Sequence, residues 1–132
     1  MNQEERNILI NLQIEKSMSM LEQVQVGLDN SMWDMVANRL YYAIFHAVVA
    51  LLISRGCQVG THKGAMIQFQ QHFVRTGLFS KEEGHLYSRM QQLREESDYN
   101  CFIQTSEQEI TPFVEPTKLL IEKIKMTIVA SK

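Results

Sequence analysis

Residues 38–52 read NRLYYAIFHAVVALL, and the reading of this stretch decides the fold. Trp33, Val36, Leu40, Ile44, Ala47, Val48 and Leu51 recur at spacings of three and four, the period of a helix with one apolar face. So little of the stretch is polar that such a helix must be buried over much of its surface. A polar group buried there without a partner costs about 1–3 kcal/mol. Arg39, Tyr42 and His46 are also spaced at three and four, so they share a strip beside the core stripe. They need partners, and the partners mark a candidate site. The helix is predicted to begin at Asn30 or Ser31, where Ser31 and Asp34 resemble a capping box. It ends near Arg55-Gly56, and at 1.5 Å per residue it is about 36 Å long.

Working outward, a first helix is predicted from Gln3 to Val26. Ile10, Ile14, Met18 (with Ser17), Leu21, Val24 and Leu28 lie on one face, and Gly27 with Asp29-Asn30 acts as the stop. After the loop Cys57-Gln58-Val59-Gly60, Thr61 is the N-cap of a third helix. It presents Met66, Phe69 and Phe73 and runs to Thr76, before Gly77. Ser80 and Glu83 form a capping box for a fourth helix. That helix carries Leu86, Met90, Leu93 and Ser97 and ends between Asp98 and Asn100. The last helix starts either at the box Ser106–Glu109 or at Thr111-Pro112, and the earlier start is preferred. Pro116 is expected to bend it, and Phe113, Leu120, Ile124 and Ile128 continue its core face. No stretch reads as a strand. Short loops favour antiparallel neighbours, so the expectation is a single all-α domain over residues 1–132, an up-and-down bundle of four to five helices.

Composition agrees with one globular core: 132 residues, 45% hydrophobic, with only 6 Gly and 2 Pro. The 8 Met read as adaptable packing. A net charge of −2 does not announce a nucleic-acid binder, but the charge is uneven. Residues 1–54 hold 3 basic and 6 acidic groups, residues 55–94 hold 6 and 2, and residues 95–132 hold 4 and 7. The positive middle contains His62, His72 and His85. Cys57 and Cys101 form no metal-ligand pattern, the polar, acidic start is unlike a secretory signal, and the longest apolar run, Ala47–Ile53, falls short of the ~20 residues that span a bilayer. A reducing cytoplasmic setting with free thiols and no membrane is expected.

Arg94 and Asp98 lie one turn apart on the fourth helix. Arg before Asp is the weaker order for a helix pair, and an acid at a helix C-terminus opposes the dipole. Asp98 is therefore predicted to answer to a group outside its helix, with Arg39 the candidate through a bidentate link. Thr61, His62 and Lys63 at a helix start could hold an anion, with ordinary capping as the simpler reading. His-x-x-x-His, His-Glu-x-x-His, Gly-x-Ser-x-Gly and phosphate-loop patterns are all missing, so neither a metal nor a cofactor is expected.

Taken together, Asn-Arg-x-Tyr-Tyr-Ala-x-Phe-His-Ala, then Thr-His-Lys-Gly, then Arg-x-x-x-Asp-Tyr resemble the HEPN superfamily (higher eukaryotes and prokaryotes nucleotide-binding domain). More narrowly, they resemble its small stand-alone bacterial and archaeal members. The resemblance spans about residues 3–130. It implies a helical bundle that often dimerises, and frequent pairing with a small nucleotidyltransferase in toxin–antitoxin-like systems. Active HEPN ribonucleases use Arg-x(4–6)-His, with no metal. Here Arg94 is followed by Glu, Glu, Ser, Asp98, Tyr99, Asn and Cys, with no histidine in reach. Arg55 to His62 fits Arg-x6-His only literally, across a loop, and is read as coincidence. A carboxylate near a scissile phosphate repels it, and tyrosine is a poor base at neutral pH. The resemblance thus implies a homodimeric, non-catalytic component that binds a nucleotide, RNA or a nucleotidyltransferase partner. Its polar groove would comprise Arg39, Tyr42, His46, Arg94, Asp98 and Tyr99. Two alternatives stand beside it: a divergent ribonuclease toxin with Arg94 on phosphate and His46 as base, and a purely structural dimerisation module.

Overall fold

The computed structural model describes residues 1–99 and 104–130. Six α-helices follow in order: α1 (Gln3–Asp29), α2 (Trp33–Ser54), α3 (His62–Phe69), α4 (Lys81–Tyr99), α5 (Glu107–Ile110) and α6 (Val114–Ala130). A π-turn, Gln70–Val74, extends α3, and a 3₁₀ turn, Thr111–Phe113, joins α5 to α6. Among the described residues there is no strand, and the architecture is the expected all-α bundle.

α2 is the axle. It packs against each of the other five helices, and Leu40, Tyr41, Ala43, Ile44, Ala47, Val48, Ala50, Leu51 and Leu52 are closed off from solvent. Averaged over its length, α2 is long and apolar enough to cross a membrane, a test that its shorter uninterrupted run does not reveal. Most of that apolar surface is buried inside the bundle, which accounts for the composition without a bilayer.

α1 and α2 form an antiparallel hairpin, pinned along its length. Gln13 meets His46, Ser17 meets Ala43, Gln23 meets Arg39, and Gly27 meets Val36. Ser17 takes the buried place that the periodicity assigned jointly with Met18. Its hydroxyl donates to the Ala43 carbonyl at 2.7 Å, while Met18 is exposed. Gly27 does not stop α1. It lies inside the helix, fully buried, where a Cβ would stand 2.7 Å from a Val36 methyl. α1 runs on to Asp29, and the reversal is made by Asn30 and by Ser31 at φ 55°.

Several predicted caps are present, and one is not. Thr61 Oγ1 accepts from Gly64 N at 2.8 Å, and Ser80–Glu83 and Ser106–Glu109 form reciprocal boxes. Ser31 and Asp34 do not. Met32 is the N-cap of α2 with no side-chain bond, and Asp34 instead accepts from Thr105 N at 2.8 Å, tying α2 to the segment before α5. The last helical region does start at Ser106. Its irregularity falls at Thr111–Phe113, one turn before Pro116. Proline lacks the N–H that would reach residue 112 and its ring crowds that carbonyl, so the distortion appears N-terminal to the proline. On α4 the buried residues are Gly84, Tyr87, Met90 and Leu93, whereas the predicted Leu86 and Ser97 are half-buried. Lys123 on α6 bonds Glu83 at 2.7 Å and so anchors the start of α4. Cys57 is a half-buried free thiol. Cys101 and the predicted helix end at Asn100 lie outside the described residues.

The Gly27–Val36 approach sets the α1–α2 crossing. Gly27→Val is expected to lower unfolding stability by about 1–3 kcal/mol through overpacking, read as a reduced denaturant midpoint at unchanged slope.

Candidate functional site: an arginine on an aromatic floor

Arg94 lies on the inner edge of α4, with its side chain only 14% exposed. Its guanidinium carbon stands 4.8 Å from the centre of the Tyr41 ring and 5.7 Å from that of Tyr42. A partly desolvated cation over aromatic faces gains about 1–2 kcal/mol, so the floor holds the charge in place. Nη1 reaches the Asp98 carboxylate at 3.2 Å, Nη2 lies 3.9 Å from Glu95, and Nε is buried with no hydrogen-bond partner.

The same two tyrosines hold His62. The Tyr41 hydroxyl and His62 Nδ1 are 2.7 Å apart, and the Tyr42 ring meets the imidazole edge-on at 5.7 Å between centroids. Phe45 stacks on the imidazole at 4.1 Å with the planes 10° apart. Tyr41 and Phe45 are one helical turn apart on α2, and His62 is the first residue of α3. The loop that ends α2 at Gly56 (φ 76°) and the Thr61 cap therefore deliver the imidazole to the α2 surface. Burial lowers the His62 pKa below its usual value, and the Arg94 charge adds to the effect. Burial pushes the Tyr41 hydroxyl up to about 12, so it keeps its proton at neutral pH.

Along α4, Tyr87, Gln91 and Arg94 are spaced at four and three and share a strip. The Tyr87 hydroxyl, Gln91 Oε1 and Arg94 Nε are all buried without hydrogen-bond partners among the described residues. Buried polar atoms are normally paired, so a row of three such atoms calls for a partner, a bound water or a ligand.

The groove read from sequence is only partly assembled. Tyr42, Arg94 and Asp98 come together. Arg39 does not bond Asp98; it faces the other side of α2, donating to Gln23 on α1 and to its neighbour Asn38, because Asp98 is already held by Arg94 on its own helix. His46 bonds Gln13 on α1 through Nδ1 at 2.8 Å, and burial lowers its pKa to about 4. Tyr99 is 82% exposed. Thr61 acts as a cap and Lys63 is exposed, while His62 joins the cluster. On the far side of His62, a cleft of about 700 Å³ opens between α1 and the 57–61 loop, over Phe45, His46 and Val49. Arg94 does not line it; the imidazole is the shared wall. Among the described residues no group of three or more His, Cys, Asp or Glu could hold a metal ion.

Sequence reasoning missed Tyr41, the residue at the centre. Ala37, Tyr41, Ile44 and Val48 are themselves spaced at four and three, a signal that would have placed Tyr41 on the inner face.

These features define an all-α bundle whose second and fourth helices enclose a half-buried arginine on an aromatic floor. The profile of the HEPN domain matches residues 10–127, and the chain belongs to that family. It is 29% identical over 128 residues to a "UPF0332 protein" of Thermotoga maritima, covering 97% of this chain and 96% of the relative. It is 26% identical over 115 residues to "Putative toxin MJ0605" of Methanocaldococcus jannaschii, covering 87% of this chain and 85% of the relative. A second protein of that organism, "Putative toxin MJ0142", is 23% identical over 117 residues, covering 89% of this chain and 80% of the relative.

His46 and His62 both have pKa values below the ordinary 6.5 because the fold disfavours their charged forms. The unfolded chain then binds more protons as pH falls below 6.5, so stability falls with it, and the His46 part is fully lost below about 4. A falling Tm between pH 7 and pH 5, flattened in His46→Gln, is the expected result.

Proposed function

We propose that this protein is the HEPN member of a two-component, toxin–antitoxin-like pair. It acts in the cytoplasm as a homodimer that binds a phosphate-bearing ligand, a nucleotide or RNA, and a nucleotidyltransferase partner. The observation that carries this reading is the Arg94 guanidinium, fixed on Tyr41 and Tyr42 and kept partly out of water. Arginine in such a setting is a preorganised phosphate donor, and partial desolvation strengthens its field. The names of the two Methanocaldococcus relatives support the toxin-like context.

The chemistry favours binding over cleavage. No histidine follows Arg94 within the spacing that HEPN ribonucleases use, and Asp98 and Tyr99 stand there instead. Asp98 carries negative charge to the place where a scissile phosphate would need positive charge. His46, the base in the ribonuclease alternative, is turned to Gln13 on α1. A ribonuclease reading has one specific observation in its favour, the imidazole of His62 against the same rings as Arg94.

Arg94→Ala is expected to weaken nucleotide or single-stranded RNA binding at least tenfold while leaving the helical circular-dichroism signal intact. Unchanged binding would reduce the cluster to a structural role. Purified protein incubated with RNA in EDTA is expected to leave it uncut, and cleavage abolished by both Arg94→Ala and His62→Ala would establish the ribonuclease reading.

A further inference from the structure

Asp98 is the carboxylate nearest to Arg94, with Glu95 farther off at Nη2. The guanidinium carbon stands 4.8 Å from the Tyr41 ring centre and 5.7 Å from that of Tyr42, Nε is buried, and Nη1 reaches the Asp98 carboxylate at 3.2 Å. That carboxylate is 40% exposed and sits in the last turn of α4, where the helix dipole disfavours a negative charge. With one partner at the surface and an unfavourable helix position, this pair is a weak hold on Arg94, which an incoming anion of higher charge can displace. The arrangement is that of a resident anion held weakly in a preformed cation site.

His62 completes the site from another part of the chain. It lies against the same two rings as Arg94, and its Nδ1 is engaged by the Tyr41 hydroxyl. Nε2 is then the nitrogen free for a ligand. A protonated imidazole with Nδ1–H donating to the Tyr41 oxygen presents Nε2–H as a second, charged donor. The groups facing His62 from all sides are Arg94 from α4, Tyr41 and Tyr42 from α2, and Lys63 beside it in α3. His46 lies beyond Phe45, and Glu95 and Asp98 lie against the Arg94 guanidinium. Burial, and after it the Arg94 charge, disfavours the protonated imidazole. An anion that bridges Arg94 and His62 cancels that repulsion and favours proton uptake.

We propose that Arg94 and His62, joined through Tyr41, form an oxyanion site for a phosphate or sulfate group. Asp98 is its internal competitor, and the ligand enters by displacing Asp98 while His62 takes up a proton. This rests on the reading of the Arg94 cluster as a phosphate site and specifies its second ligand group and its regulation.

Sulfate is the direct probe, because its charge is constant from pH 5.5 to 8. The full-length protein is titrated with sodium sulfate at constant ionic strength, following the His62 imidazole carbon-bound protons by NMR. Binding several-fold tighter at pH 5.5 than at pH 8 is expected, with the His62 titration moving to higher pH as sulfate saturates. Asp98→Asn is expected to tighten binding several-fold at both pH values. His62→Gln, which keeps a polar partner for Tyr41, is expected to remove the pH dependence. His46→Gln is expected to retain it, which separates the two histidines. Absence of a sulfate response at His62, unchanged or weaker binding in Asp98→Asn, or a pH dependence that survives in His62→Gln would each overturn the proposal. If Arg94→Ala abolishes nucleotide or RNA binding while any of these results holds, the broader phosphate-site reading stands and only the Asp98–His62 account falls. If Arg94→Ala leaves nucleotide and RNA binding unchanged, both fall.

Discussion

The buried phenol of Tyr41 is the constraint on which the site depends. Its ring is fully enclosed, one face supports the Arg94 guanidinium, and its hydroxyl holds His62. Three segments distant in sequence, α2, the start of α3 and the end of α4, are referred to one side chain. A buried hydroxyl without a partner costs about 1–3 kcal/mol. Docking of His62 by the 57–61 loop satisfies that hydroxyl once α2 is packed. The tyrosine stays protonated because burial pushes its pKa to about 12, so the link persists across physiological pH. Fold and site are coupled at this point.

Much of the fold could be read from residue spacing. Apolar periodicity placed α2 at the centre, and the Thr61, Ser80 and Ser106 caps marked three helix starts, because periodicity and capping are local physics. The failures are equally specific. Asp34 looked like half of a capping box, but a backbone N–H at Thr105, 71 residues away, takes its carboxylate. Gly27 looked like a stop signal, whereas its missing Cβ is what lets α2 approach. Both errors replaced a tertiary contact with a local rule.

The candidate site was half legible for a related reason. Arg39, Tyr42 and His46 share a strip, but that strip divides in space. Arg39 and His46 turn to Gln23 and Gln13 on α1, and only Tyr42 reaches Arg94. Spacing says which residues share a face and not which neighbour covers that face. His62 read as part of a helix start, and its second role depends on where a short loop ends, which no periodicity reports. Arg94 and Asp98 were singled out because their order and position run against helix electrostatics, but the expectation drawn from this, a partner for Asp98 outside its helix, is overturned: Asp98 pairs with Arg94 one turn back on α4. Membership in the HEPN family fits this picture of an all-α bundle.

If the cluster around Tyr41 is a phosphate site with an internal competitor, a crystal grown or soaked with sulfate tests it most directly. The account predicts a sulfate bridging Arg94 and His62, the Tyr41–His62 hydrogen bond retained, and the Asp98 carboxylate turned away from Nη1. Sulfate bound elsewhere, with Arg94 and Asp98 still paired at 3.2 Å, would contradict it.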